Sequence, residues 1–179
     1  SHSFPGISFE DLTLNGSTAY FVSNSLIAYS SNPQSTPQTL STTPEISWQN
    51  IAADGTGGVF LASSSAVYHF STPGAEGINL NYPTINSSIQ DLCSLDQFSV
   101  LAAATGSDTY LTRDKGITWD RILPLEFHSR SYSTCHFEDA HHLFLGTPDE
   151  GIMVARLGKG VEGQRIALGS MDNSPLQTG

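Results

Sequence analysis

The sequence predicts an all-β chain of four repeated units, and three observations carry that prediction. Apolar runs of four to six residues, rich in Val, Ile, Phe, Tyr and Leu, alternate with Gly, Asn, Asp and Pro, which is the pattern of short antiparallel strands between turns. Helical periodicity is absent from nearly the whole chain. The runs also recur in phase: the anchors Leu12, Ile51, Leu92 and Cys135 lie 39, 41 and 43 positions apart, a drift that turns of variable length produce. About four strands in roughly 40 residues, repeated, is the pattern of β-propeller blades. An irregular β-sandwich would show no such phase.

The first repeat, about 8–46, holds an inner strand at 8–12, a turn at Asn15-Gly16-Ser17 and strands at 19–22 and 26–29. The second, about 47–87, runs 47–51, a turn at Asp54-Gly55-Thr56-Gly57, then 59–62 and 66–70. The third, about 88–130, runs 88–92, a turn around Asp96-Gln97, then 100–103 and 109–112. The fourth, about 131–169, runs 131–135, a turn at 138–141, then 143–146 and 151–155. Each has room for a fourth, outer strand, at 38–41, 76–80, 117–123 and 164–168, and residues 170–179 read as a polar tail. Four blades predict a small closed ring, or part of a larger ring completed by other blades or by a second chain. An open propeller leaves long strand edges that proteins avoid, which leaves these three solutions, and the latter two are slightly favoured over a closed monomer.

Composition narrows the partners. The 179 residues carry a net charge of −10, 13% charged and 38% hydrophobic residues, and 25 Ser plus 16 Thr against 7 Lys plus Arg. So few cations argue against nucleic acid or an anionic membrane surface, since binding phosphate needs clustered positive charge. The apolar fraction is too high and too evenly spread for a disordered chain. No run of about 18 apolar residues predicts a membrane span, and no basic-then-apolar stretch reads as a signal peptide. Two sequons, Asn15-Gly16-Ser17 and Asn86-Ser87-Ser88, are compatible with secretion, and an extracytoplasmic location is slightly favoured. Cys93 and Cys135 read as small buried hydrophobes, bridged only if the fold brings their Cα atoms within about 7 Å.

One motif is specific. Thr112-Arg113-Asp114-Lys115-Gly116-Ile117-Thr118-Trp119 fits Ser/Thr-x-Asp-x-Gly-x-Thr-Trp. Asp114 at the start of a tight turn can accept the N–H groups that the turn leaves free. Gly116 supplies a positive φ without a Cβ clash. Thr118 ties off another turn group, and Trp119 buries its ring between sheets. On these residues the chain resembles the Asp-box (BNR-repeat) β-propellers, a superfamily of sialidases, sortilin-type receptor domains, xyloglucan-cleaving glycosidases and photosystem II assembly factors. The corresponding turns of the other repeats, 30–37, 71–77 and 157–163, lack the Asp, Thr and Trp. The resemblance implies that Thr112, Asp114, Gly116, Thr118 and Trp119 are structural and lie on the rim, away from a central pocket.

Catalytic patterns are weaker. A sialidase-like site needs an arginine cluster, and the five arginines are Arg113, Arg121, Arg130, Arg156 and Arg165, the first inside the rim motif. Arg121-Ile122-Leu123-Pro124 only superficially matches the Phe/Tyr-Arg-Ile-Pro motif of that family. A two-carboxylate glycosidase needs its acids about 5–10 Å apart, and Glu10-Asp11, Asp91, Glu138-Asp139 and Asp149-Glu150 supply candidates. Asp11, Asn50 and Asp91 recur immediately before an inner-strand anchor, where they line a central channel or, preferably, bond neighbouring blades. His136, Glu138, His141 and His142 crowd one turn; a solvated polar turn explains them better than a metal, which needs a better-defined ligand spacing. No phosphate loop or nucleophile elbow is present.

The expectation is therefore a non-enzymatic propeller module without a cofactor, binding a protein or glycan, with self-association or other blades to complete the ring. The rivals are part of a glycan-processing hydrolase, sialidase-like or glucanase-like, and a lectin with aromatic pockets between blades. Against the lectin, Trp48 and Trp119 do not occupy equivalent positions.

Overall fold

A computed structural model describes residues 8–23, 26–32, 36–39, 46–83, 88–104, 109–122, 132–148 and 151–157. Within them the chain forms four antiparallel sheets, each a meander in chain order. Sheet one is β1 (Asp11–Asn15), β2 (Thr18–Val22), β3 (Ile27–Ser30) and β4 (Gln38–Thr39). Sheet two is β5 (Trp48–Ala53), β6 (Val59–Ser63), β7 (Val67–Phe70) and β8 (Ile78–Asn79). Sheet three is β9 (Ile89–Ser94), β10 (Val100–Ala104), β11 (Thr109–Thr112) and β12 (Asp120–Arg121). Sheet four has β13 (Thr134–Phe137), β14 (His142–Thr147) and β15 (Gly151–Arg156); the outer strand expected at 164–168 lies outside the described residues. The repeated all-β architecture is thus the one that periodicity predicts.

The inner strands start one to three residues later than expected and run on into their turns. Asn15 still pairs with Thr18, and Ser94 with Val100, because an antiparallel ladder continues until the turn itself stops it. The outer strands of sheets one, two and three show two residue pairs each; those of sheets two and three are shorter than expected, and positions 40–41 of the first lie outside the described residues.

The inner strands β1, β5, β9 and β13 pack in sequence, each against the next, and a separate apolar cluster fills each junction. Tyr20, Val22 and Ile27 of sheet one meet Ile51, Val59, Leu61 and Phe70 of sheet two. Ala52, Phe60 and Val67 on the other side of sheet two meet Ile89 and Leu92 of sheet three. Cys93 and Leu111 meet Cys135, Leu143 and Leu145 of sheet four. Both faces of sheet two are therefore covered, and all five residues of β6 are buried, as a strand inside a stack requires. In β2 and β14 full burial falls on alternate residues, Tyr20 and Val22, Leu143 and Leu145, so one face of each is covered. Cys93 and Cys135, with Cα atoms 5.8 Å apart, form a disulfide between β9 and β13. They are buried as expected, but as a cross-link between adjacent sheets, because Cys93, on the face of β9 opposite the anchor Leu92, meets the anchor Cys135 across the junction.

Candidate functional site

The three recurring polar residues of the inner strands all reach the following sheet. Asp11 accepts the N–H of its neighbour Leu12 through Oδ1 at 2.8 Å and that of Ile51 through Oδ2 at 3.0 Å. Asp91 repeats this with Leu92 at 2.8 Å and Cys135 at 2.7 Å. Asn50, between them, uses its amide as a donor to the Gln90 carbonyl at 3.0 Å. Burial raises the Asp91 carboxyl above the usual carboxylate range, against the hydrogen bonds from Cys135 and Leu92, and the charge of Asp11 adds to the rise. These side chains bridge blades at the inner strands, with both oxygens of each carboxylate occupied.

The most densely bonded polar group stands elsewhere, in the turn between β5 and β6. Asp54 is fully buried. Its Oδ1 accepts Thr56 N and Gly58 N at 2.8 Å each, and the Asn15 amide at 3.0 Å. Its Oδ2 lies 2.8 Å from His69 Nε2; a carboxylate only accepts, so that nitrogen carries the proton. Burial pushes the Asp54 carboxyl up, but the bonds from His69 and the turn outweigh it, and it sits below its usual range. Asn15 also donates to the Gly58 carbonyl at 2.8 Å, and Tyr20 Oη to Gly57 at 2.6 Å, so sheet one clasps the turn of sheet two. The His69 ring stacks on Phe60 at 4.6 Å. The sequence places Asp54 in a turn, and the signal that marks His69 is a histidine in a strand register where sheet three has Leu111. The Asn15 sequon is also explained differently, since its amide nitrogen is committed to this clasp.

The turn 112–119 closes on itself as its residue types require. Thr118 donates to Asp114 through N at 2.9 Å and Oγ1 at 2.6 Å, and Thr112 Oγ1 donates at 2.8 Å. Gly116 N donates to Thr112 Oγ1 at 2.8 Å. Slight burial aside, these bonds hold the Asp114 carboxyl below its usual range. Lys115 and Gly116 take positive φ, 59° and 79°. Trp119 Nε1 donates to the Leu80 carbonyl of sheet two at 2.8 Å, and its ring meets Tyr82 edge-on at 5.2 Å. The turn thus fastens sheet three to sheet two.

The histidine-rich turn of sheet four is organised by Asp139, which accepts His141 N at 2.6 Å and His142 N at 2.8 Å, with His142 Nδ1 3.0 Å away; the His142 contact is the main reason its carboxyl sits low. His141 Nδ1 lies 3.2 Å from the Leu157 carbonyl, and His136 and Glu138 are exposed. Among the described residues no group of three or more His, Cys, Asp or Glu converges as a metal site, and no helix is long and apolar enough to cross a membrane. A shallow cavity of about 50 Å³ between sheets three and four is lined by Leu95, Leu111, Phe137, Ala140, Leu157 and Arg113. That is far below the roughly 300–1,000 Å³ of small-molecule pockets. Of the other arginines, Arg121 sits in β12 and Arg156 in β15, while 130 and 165 lie outside the described residues.

No protein-family model matches the chain, and no curated protein matches it in sequence. Solved structures do match. YCF48 bound to D1 peptide is similar over 93% of this chain and 55% of that one, with TM-score 0.67 and 14% identity. The GH74 enzyme of Niastella koreensis is similar over 83% and 28%, with TM-score 0.66 and 17% identity. A chain of the nidogen/laminin complex is similar over 83% and 60%, with TM-score 0.65 and 13% identity. The chain spans about half the length of the YCF48 structures that it matches. All of these are β-propellers, and at such low identity the likeness establishes the fold: this chain is folded as four successive sheets of a β-propeller.

Proposed function

We propose that the chain is a non-enzymatic β-propeller module that binds a protein or peptide, working as part of a larger ring, and that its turn 112–119 makes it a member of the Asp-box group. The observation that carries the non-enzymatic reading is the double engagement of Asp11 and Asp91. Each inner-strand carboxylate has both oxygens on backbone N–H groups, so neither is placed as a general acid or a nucleophile toward a substrate. Trp48 is buried against Tyr68 and Phe70, and Trp119 holds Leu80, so neither offers the open aromatic face that a lectin site uses. Two matched propellers are seen with a peptide or protein, YCF48 with D1 peptide and nidogen with laminin, which supports a protein ligand. The GH74 match favours the second reading, in which the chain supplies non-catalytic blades of a glycan hydrolase.

The test is binding of the purified chain to peptide and glycan arrays, with sialidase and glucanase assays on the same preparation. Peptide binding without hydrolysis is the expected result. Turnover of either glycan substrate overturns it, and glycan binding alone moves the assignment to a lectin.

A further inference from the structure

We infer that Asn15 is a site of spontaneous deamidation, gated by the contact between sheets one and two, and that the carboxylate formed there holds that contact open.

Asn15-Gly16 is the one Asn-Gly step in the chain. A glycine after asparagine leaves the peptide nitrogen unhindered, and Gly16 is exposed in its turn, with φ +61° and nothing within 4 Å of an added Cβ. Its nitrogen can attack the Cγ of Asn15 and close a succinimide ring. The Cγ–Nδ2 bond breaks, and the amide leaves as ammonia, taking the proton of the Gly16 N–H. Water then opens the ring at either carbonyl, giving aspartate or isoaspartate. The step needs water alone, with no oxidant, reductant or second protein.

The folded chain withholds this reaction in two ways. Asn15 pairs with Thr18 at the end of the β1–β2 ladder, and a strand ψ of about +135° carries the next nitrogen away from Cγ. The leaving group is also held. Asn15 Nδ2 donates to Asp54 Oδ1 at 3.0 Å and to the Gly58 carbonyl at 2.8 Å, which uses both of its protons. Ring closure therefore requires the hairpin end to leave sheet two. The exposed turn Gly16-Ser17 beside it makes this an end of the ladder that frays.

The product does not fit where the amide stood. A carboxylate has no proton to donate, so at position 15 it opposes the same two oxygens that the amide bonded. Asp54 is fully buried, and a second negative charge beside it is repelled. Isoaspartate also inserts a backbone methylene at the end of β1. The modification is a one-way step: opening permits it, and it opposes reclosure.

Peptide mapping of the full chain, incubated at mildly alkaline pH with and without urea, tests this. The peptide holding Asn15 should convert to its aspartate and isoaspartate forms on the order of tenfold faster in urea, because the folded chain must first break two hydrogen bonds. Tyr20→Phe removes the bond from Tyr20 to the Gly57 carbonyl without touching position 15, and should speed the folded-state reaction about threefold while leaving the rate in urea unchanged. Asn15→Gln should form neither product over the same period. The modified fraction of aged wild type, separated by anion exchange, should unfold at lower urea than the unmodified fraction. Absence of product in urea overturns the site. Equal rates with and without urea, or an unchanged folded-state rate in Tyr20→Phe, overturn the gate. Equal urea midpoints for the two fractions overturn the effect on the contact.

Discussion

Asp11 and Asp91 stand 80 positions apart and use their carboxylates identically: Oδ1 takes the N–H of the next residue, and Oδ2 the N–H of the next sheet's inner strand. The arrangement makes Asp91 a structural residue of the junction between sheets three and four. Asp91→Ala orphans the N–H groups of Leu92 and Cys135, both buried, and should cost about 2–4 kcal/mol in urea denaturation. Asp91→Asn keeps one acceptor and should cost less.

Asn50 separates two carboxylates. Its amide donates to Gln90, and the charge of Asp11 already acts on Asp91. Asn50→Asp would set a carboxylate against a carbonyl oxygen and between two acids, costing about 2–4 kcal/mol at neutral pH. Such a group has a raised folded-state pKa, so the protonated form stabilises at low pH and that contribution is lost as pH rises through the folded value. The melting temperature of the variant should therefore approach wild type between pH 7 and pH 4, and an equal deficit at both ends would refute the charge argument.

His69→Leu, which copies Leu111 of sheet three, leaves Asp54 buried without its partner and should cost about 3 kcal/mol. The Asp54 carboxyl is held below its usual 3.8, so its contribution is present above that value and lost as pH falls through the lower folded value. Urea midpoints measured from neutrality down to pH 2 should show a steeper acid loss in wild type than in His69→Leu.

Two glycines separate backbone strain from contact. Gly74 has φ +82° with nothing within 4 Å of an added Cβ, whereas Gly116 has φ +79° and would place a Cβ 2.4 Å from that of Leu80. Gly74→Ala should cost about 1 kcal/mol from its positive φ alone. Gly116→Ala should cost at least about 2 kcal/mol and shift tryptophan emission to the red, as Trp119 leaves Leu80. Equal melting temperatures for the two variants would remove the contact from the explanation.

Much of the fold is legible in the sequence because Leu12, Ile51, Leu92 and Cys135 mark the same register four times. The same register sets Asp11, Asn50 and Asp91 one position before an anchor, and each bonds the following sheet. The Asp54–His69 clasp was not legible, because Asp54 is an ordinary residue for a turn and a strand histidine does not reveal its acceptor 15 positions away. The unequal exposure of Leu12 and Ile51 could not be read either. Both are apolar anchors, and their difference arises from the neighbouring sheet rather than from their own side chains.

The three recurring inner-strand side chains also share a direction. Asp11, Asn50 and Asp91 each reach a residue later in the chain, 40, 40 and 44 positions on. Sheets one, two and three thus each carry an acceptor or donor for the sheet that follows them in the chain. Each of these bonds ties a sheet to its successor rather than closing within one sheet, and the Cys93–Cys135 bond adds a covalent tie to the junction that Asp91 already bridges.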